Sequence, residues 1–191
     1  MSKNIILCGV GGQGTILASK MIAAAAMNQG IHVRTAETIG MAQRGGSVFS
    51  HVRLGEDAAS PLIRHEEADL IIGFEPGETV RLLPFLKKDG AVVSSTRPLM
   101  PVSAMIGQSE YDSEAMVTYL KDNVKNLTLV DSDQALQEIG NAKAMNVLLL
   151  GAAVESGQLG LSYDNIRQAL HQKLPEKLWD VNERALTYLA K

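Results

Sequence analysis

A Rossmann-like α/β fold, with a doubly wound, mostly parallel sheet and a helical C-terminal region, is what this sequence predicts. Three observations predict it. The opening run Ile5-Ile6-Leu7 is continuously apolar and halted by glycines, the pattern of a strand buried on both faces. The glycine-rich turn Gly9-Val10-Gly11-Gly12-Gln13-Gly14 then separates it from a helical segment. Strand and helix patterns alternate from there to Val130, and from about Ser132 the pattern becomes helical.

The first strand is expected over Asn4 to Val10. Thr15 to Gln29 should be a helix, since Leu17, Met21, Ile22, Ala25 and Ala26 fall near one face and Gly30 is a natural stop. A second strand at Ile31 to Ala36 completes a βαβ order that predicts a right-handed parallel crossover. Ser47 to Leu54 has β-favouring residues and ends at Gly55-Glu56-Asp57. Asp69 to Phe74 and Ala91 to Ser95 read as two more buried strands, with a helix between them near Glu78 to Phe85 that Pro84 shortens or bends. Leu127 to Val130 is the last strand.

Helices are then expected at Asp133 to Ile139, Ala144 to Ser156, Tyr163 to Leu174 and Glu176 to Leu189, with Pro175 suited to the first position of the last one. Met145, Leu148, Leu149, Ala152 and Ala153 make the second of these the most apolar helix, packed inside the domain or under a partner. There is no internal repeat or low-complexity linker, and Pro98 to Pro101 reads as a loop. Residues 1–191 are therefore expected to form one domain.

Composition narrows the function classes. The 18 basic and 21 acidic side chains give a net charge of -3 with no long run of either sign, so no basic face for nucleic acid is indicated. The longest apolar stretch, Met145 to Val154, is well short of the roughly 20 residues of a membrane-spanning helix. Met1-Ser2-Lys3-Asn4 runs straight into a strand without an export leader, so a soluble cytoplasmic protein is expected. The single cysteine, Cys8, excludes an internal disulfide framework and a four-thiolate iron–sulfur cluster.

Two segments could carry chemistry. In the first, Gly9 permits a tight turn, Gly11 a close approach of phosphate to the backbone, and Gly14 packing of helix against strand. Amides at Gly12, Gln13, Gly14 and Thr15 would then face an anion at the helix start. The same glycines could simply make a strand-to-helix turn. Glu37, after the second strand, is the candidate ribose ligand, but it lies further along than the usual spacing of roughly 20 residues, which argues against ordinary NAD binding.

The second segment is Met41-Ala42-Gln43-Arg44-Gly45-Gly46-Ser47, where the Arg44 guanidinium beside Gly45 and Gly46 could clamp a phosphate or carboxylate. The alternative is a glycine turn with Arg44 solvated. Both segments are placed near the carboxyl edge of the sheet, where open α/β sheets bind ligands.

Other schemes fail on the residues. His32, His51, His65 and His171 are scattered without metal-site spacing, and neither a nucleophile elbow nor a phosphate-loop lysine motif occurs. Cys8, in a buried strand, reads as a small core residue, and Glu66 and Glu67 as a solvated pair.

Taken together and in order, Gly9 to Gly14, Gln43-Arg44-Gly45-Gly46-Ser47 with its strand to Arg53, and Asn146 followed by Leu150-Gly151-Ala152 resemble the gamma subunit of 2-oxoacid:ferredoxin oxidoreductases. The resemblance covers nearly the whole chain. It is nearest to the indolepyruvate branch, in which the gamma domain is a separate subunit, on its length, the wording Met41-Ala42-Gln43-Arg44 and a helical tail with Trp179 and Asn182, with pyruvate and 2-oxoisovalerate enzymes as the alternatives.

The resemblance implies a CoA-dependent oxidative decarboxylation of a 2-oxoacid that reduces ferredoxin. Thiamine diphosphate and iron–sulfur clusters do the chemistry in that family. This sequence has no Gly-Asp-Gly thiamine motif with a following Asn-Asn, and one cysteine. The resemblance thus implies a larger alpha subunit that carries both cofactors, and an accessory role here with no catalytic or metal-ligating residue of its own. Its glycine loop and Arg44-Gly45-Gly46 would contact the phosphates of coenzyme A or brace the partner's thiamine pocket. A nucleotide-binding oxidoreductase of NAD type acting alone, and a scaffold that binds no ligand, are the competing readings. Self-association of the isolated subunit is a further expectation.

Overall fold

The structure, a computed structural model, describes residues 2–37, 46–56, 60–100 and 110–190. Its strands are β1 (Lys3–Val10), β2 (Val33–Glu37), β3 (Ser47–Leu54), β4 (Ala68–Gly73), β5 (Leu86–Ser95) and β6 (Asn126–Val130). They form a six-stranded sheet in the order β2-β3-β1-β4-β5-β6. The helices are α1 (Thr15–Asn28), α2 (Pro76–Leu82), α3 (Ser113–Asn123), α4 (Ser132–Ile139), α5 (Met145–Glu155), α6 (Tyr163–Lys173) and α7 (Trp179–Leu186).

The mostly parallel, doubly wound sheet expected from the sequence is present. β1, β4, β5 and β6 run parallel, and alternate side chains of β1 enter different cores. Ile5 and Leu7 pack with the α1, α5, α6 and α7 side, while Ile6 and Cys8 pack with Leu82 of α2 and Leu120 of α3. That division follows from the two-residue side-chain period of a strand. Because both faces are covered, no polar alternation survives in β1, which explains its continuous apolar run.

The crossover from β1 through α1 does not place β2 beside β1. β3 lies between them and is antiparallel to both. β1 and β2 still run in the same direction, but two strand spacings apart. The side chains explain the order: β3 buries Val48, Val52 and Leu54, whereas β2 exposes Arg34 and Thr35 and suits an edge.

Three local departures have equally simple causes. Helix α3 has little apolar pattern, since Leu120 is its one buried residue. It is defined by its ends: Asp112 accepts the Ala115 amide at 3.0 Å, with Glu114 in the first turn and Lys121 in the last. Pro175 precedes a 3₁₀ turn, Glu176–Leu178, instead of starting α7. Strand β5 begins at Leu86, and its pairing with β4 shifts register between Ala68 and Leu70. As expected, Pro84 ends regular helix, and the chain continues from α2 as a 3₁₀ turn over Leu83–Phe85.

Helix α5 is the centre of the larger core. Residues Met145 to Ala153 are all buried, so it is enclosed on every side instead of presenting one stripe. At Gly151 an added Cβ would collide with the Leu186 backbone of α7, so glycine lets the two helices touch. Among the described residues no helix is long and apolar enough to cross a membrane.

Candidate ligand groove at the carboxyl edge

The β1–α1 turn is built by its own side chain. Gln13 folds back so that Oε1 accepts the Val10 amide at 2.7 Å, while Nε2 donates to the Phe74 carbonyl at 3.0 Å. Both ends of that carboxamide are thus engaged in tying the loop to the end of β4. Gly9 is required by the same contact: an added Cβ would lie 2.7 Å from Phe74 Cβ and 2.7 Å from Gln13 Oε1. Gly12 and Gly14 have φ of 104° and 89°, values that favour glycine.

The two glycine-rich segments meet. Antiparallel pairing puts Val10 opposite Ser47, and the Gly11 amide donates to the Gly46 carbonyl at 2.9 Å. Gly11 therefore directs its amide at the neighbouring segment instead of at an anion. The Gln13 amide donates to the Val10 carbonyl at 3.2 Å. Among the described residues the amides of Gly12, in the turn, and of Gly14 and Thr15, at the start of α1, have no acceptor, the last as the first turn of a helix leaves it. Gln43, Arg44 and Gly45 lie outside the described residues.

Beside this loop runs a groove of about 470 Å³ between Gly12 to Leu17, Arg97 to Leu99 and Ala142 to Asn146. Each wall comes from a different carboxyl-edge segment. Arg97 follows β5, with its amide fixed on Ser95 Oγ at 3.0 Å and its Nε 3.1 Å from Asp133 Oδ1. Lys143 makes no ion pair among the described residues. Asn146 is 5% exposed, and its Oδ1 accepts the Val147 amide at 3.0 Å.

Among the described residues the Nδ2 of Asn146 has no acceptor, and no fully buried side-chain nitrogen or oxygen lacks a partner. It therefore keeps contact with the open groove, beside Gly14, whose Cβ position is 3.2 Å away. Helix amides, a guanidinium, an ammonium and an amide donor converge there, a set suited to an anion. Leu17, Pro98 and Met145 add apolar wall, which suits an organic phosphate ester.

On the other face of the loop lies a closed acidic cluster. Glu75 is 2% exposed, accepts the Glu78 amide at 2.8 Å as the N-cap of α2, and also accepts the Tyr111 hydroxyl. Glu78 accepts Ser47 Oγ at 2.5 Å and meets Arg81 at 3.4 Å. Burial, and then the hydrogen bond and charge of Glu75, push the Tyr111 phenol well above its usual range. Burial, reinforced by the negative charge of Glu78, does the same to the Cys8 thiol, which is therefore no nucleophile.

Glu37 is displaced from the ribose role. Its Oε1 accepts Ser19 Oγ at 3.0 Å, and β3 separates it from the glycine loop. Two strand spacings come to roughly 10 Å, where a ribose ligand beside a dinucleotide turn sits one strand away. His51 takes a structural role: its Nδ1 accepts the Ile63 amide at 3.3 Å. Among the described residues no group of three or more His, Cys, Asp or Glu could hold a metal.

Sequence reasoning missed Arg97, Lys143 and the Glu75–Tyr111 pair. Arg97 and Lys143 had no local signal, being lone cations in a loop and in the 3₁₀ turn Ala142–Ala144. Glu75 had one: an acid directly after a buried strand and before Pro76 is the pattern of an N-cap with proline at the first helical position. Asn146 had another, as the one amide side chain in the most apolar helix.

The family profile described as pyruvate ferredoxin/flavodoxin oxidoreductase matches residues 4–189. The indolepyruvate oxidoreductase subunit IorB of Thermococcus kodakarensis is 36% identical over 184 residues, covering 95% of this chain and 91% of that protein. The fold is similar to that of pyruvate oxidoreductase subunit PORC from Thermotoga maritima, with a TM-score of 0.70 at 24% identity, covering 98% of this chain and 94% of that one. It is also similar to 30% of a chain of 2-oxoglutarate:ferredoxin oxidoreductase from Magnetococcus marinus, solved with 2-oxoglutarate, coenzyme A and succinyl-CoA bound, with a TM-score of 0.70 at 21% identity over 98% of this chain. With a profile spanning almost its full length and a relative above one-third identity across nearly all of it, this chain belongs to the pyruvate ferredoxin/flavodoxin oxidoreductase family.

Proposed function

We propose that the chain is the gamma-type accessory subunit of a 2-oxoacid:ferredoxin oxidoreductase whose 2-oxoacid is indolepyruvate. The observation that carries the assignment is the likeness to the indolepyruvate subunits over 95% of the chain. The residues fit a division of labour. One cysteine, buried in β1, cannot ligate an iron–sulfur cluster, so a larger subunit holds the clusters and thiamine diphosphate. The isolated chain is then inactive.

The groove is this subunit's contribution. Its donor set and the outward-facing Asn146 Nδ2 fit a phosphate of coenzyme A, which supplies the thiol that accepts the acyl group. The chain's own residues bind and orient: the α1 amides and Asn146 hold the anion, Lys143 neutralises it, and Gly14 leaves room for its approach. Contact with the phosphates of coenzyme A, or bracing of the partner's thiamine pocket, is the role this reading gives to Arg44 with Gly45 and Gly46. The reading as a solitary NAD-type oxidoreductase loses its ribose ligand once Glu37 is bonded to Ser19.

Anaerobic purification from the native host on a tagged chain tests the assignment. The expected result is a larger partner with stoichiometric iron and thiamine diphosphate, active with an aryl 2-oxoacid. Recovery of the chain alone, without either cofactor, refutes it. An Arg44→Ala complex with unchanged KM for coenzyme A would remove Arg44 from phosphate contact and leave it a bracing role.

A further inference from the structure

We propose that Arg97 is a switched ligand of the groove: Asp133 holds it when no anion is bound, and a bound phosphate ester takes it over. The inference rests on the groove being an anion site and adds how that site is kept selective. Arg97 Nε lies 3.1 Å from Asp133 Oδ1, while the same residue lines the groove. The backbone cannot follow the side chain, because the Arg97 amide is fixed on Ser95 Oγ. Only the flexible stem has to swing.

The relative strengths favour transfer. Side-chain exposures of 41% for Arg97 and 65% for Asp133 put the pair in water, where such bridges contribute little. A phosphate ester in the groove offers two charges and a geometry that a guanidinium matches bidentately. It would already be held by the amides at the α1 N-terminus, by Lys143 and by Asn146 Nδ2, whose lack of an acceptor among the described residues is the independent sign of a ligand there. Asp133 in turn is steadied by its place in the first turn of α4, so it remains as a competing anion. Weak or singly charged anions fail to displace it. Asp133 therefore sets selectivity without touching the ligand.

The test is calorimetric titration of the full-length chain with coenzyme A at fixed ionic strength. Lys143→Gln tests the groove itself and should weaken binding by about tenfold. Asp133→Asn should tighten it by about threefold, and Arg97→Gln should weaken it by about fivefold. The deciding measurement is the double variant: on an Arg97→Gln background, Asp133→Asn should change affinity by less than about 1.5-fold. If the threefold gain persists there, Asp133 is a plain repulsive charge and the switch is overturned while the groove stands. If Lys143→Gln has no effect, or the wild-type chain does not bind, the anion reading fails and the switch with it.

Discussion

The two sides of the β1–α1 turn are both polar and both near the carboxyl edge, yet they are opposite in kind. On the α2 side, Glu75, Glu78, Ser47, Tyr111 and Thr79 satisfy one another: Thr79 Oγ1 alone reaches the Glu75 carbonyl at 2.8 Å and Ser94 Oγ at 3.0 Å. On the α5 side, the Asn146 Nδ2, the Lys143 ammonium and the first amides of α1 end in open space without acceptors among the described residues. A closed polar network holds a fold together, and an unclosed one is held ready for something else. Charge type alone would have misdirected attention, since the acidic cluster is the more buried and the more populated of the two.

The comparison predicts that the acidic side governs stability and the cationic side governs affinity. Glu75→Ala removes the α2 cap and the Tyr111 acceptor together, and chemical denaturation should show a loss of about 2–4 kcal/mol. A variant with unaltered stability would break the contrast. Gly14→Ala forces a side chain into φ of 89° beside Asn146, so it should cost about 1–2 kcal/mol and also narrow the groove. Asn146→Ala should lose about 1 kcal/mol of stability, because among the described residues only its Oδ1 is bonded, but should weaken coenzyme A binding by about tenfold. Equal and large stability losses at Asn146 and Glu75 would erase the distinction.

The smallest effect is a pH dependence on the closed side. His51 stacks edge-on between Phe49 and Phe85, with ring centres at 5.4 and 6.1 Å, and accepts the Ile63 amide. Burial lowers its pKa from the usual value near 6.5, so the folded state binds this proton less readily than the unfolded chain. The stability this contributes is complete above that unfolded value and is lost as pH falls through it towards the folded pKa. Thermal melts from pH 7.5 downwards should show the decline, and His51→Gln should flatten it. A flat wild-type profile over that range would place His51 in water.

Much of this molecule is readable along the chain because its signals are local. The Ile5-Ile6-Leu7 run, the Gly9 to Gly14 turn, Gly30 after α1 and the apolar α5 each depend on neighbours a few residues away. The first glycine segment and the Gly46-Ser47 end of the second also meet at one edge as expected, since strand ends and helix starts determine edges. Helix α3 stayed hidden because one buried leucine leaves no period to detect, and only its Asp112 cap marks it.

By itself, then, the sequence determined the α/β class, the glycine turn and the family, all of which are written in residue type and short spacing. The tertiary structure alone decided that β3 slips between β1 and β2, because strand order depends on which strand buries more apolar surface and not on order along the chain. It alone decided that Gly14, Arg97 and the Lys143–Asn146 stretch, three separate segments, share a groove. It alone decided that Glu37 serves α1 instead of a ligand. Those outcomes depend on distances across the sheet, which no spacing along one strand encodes.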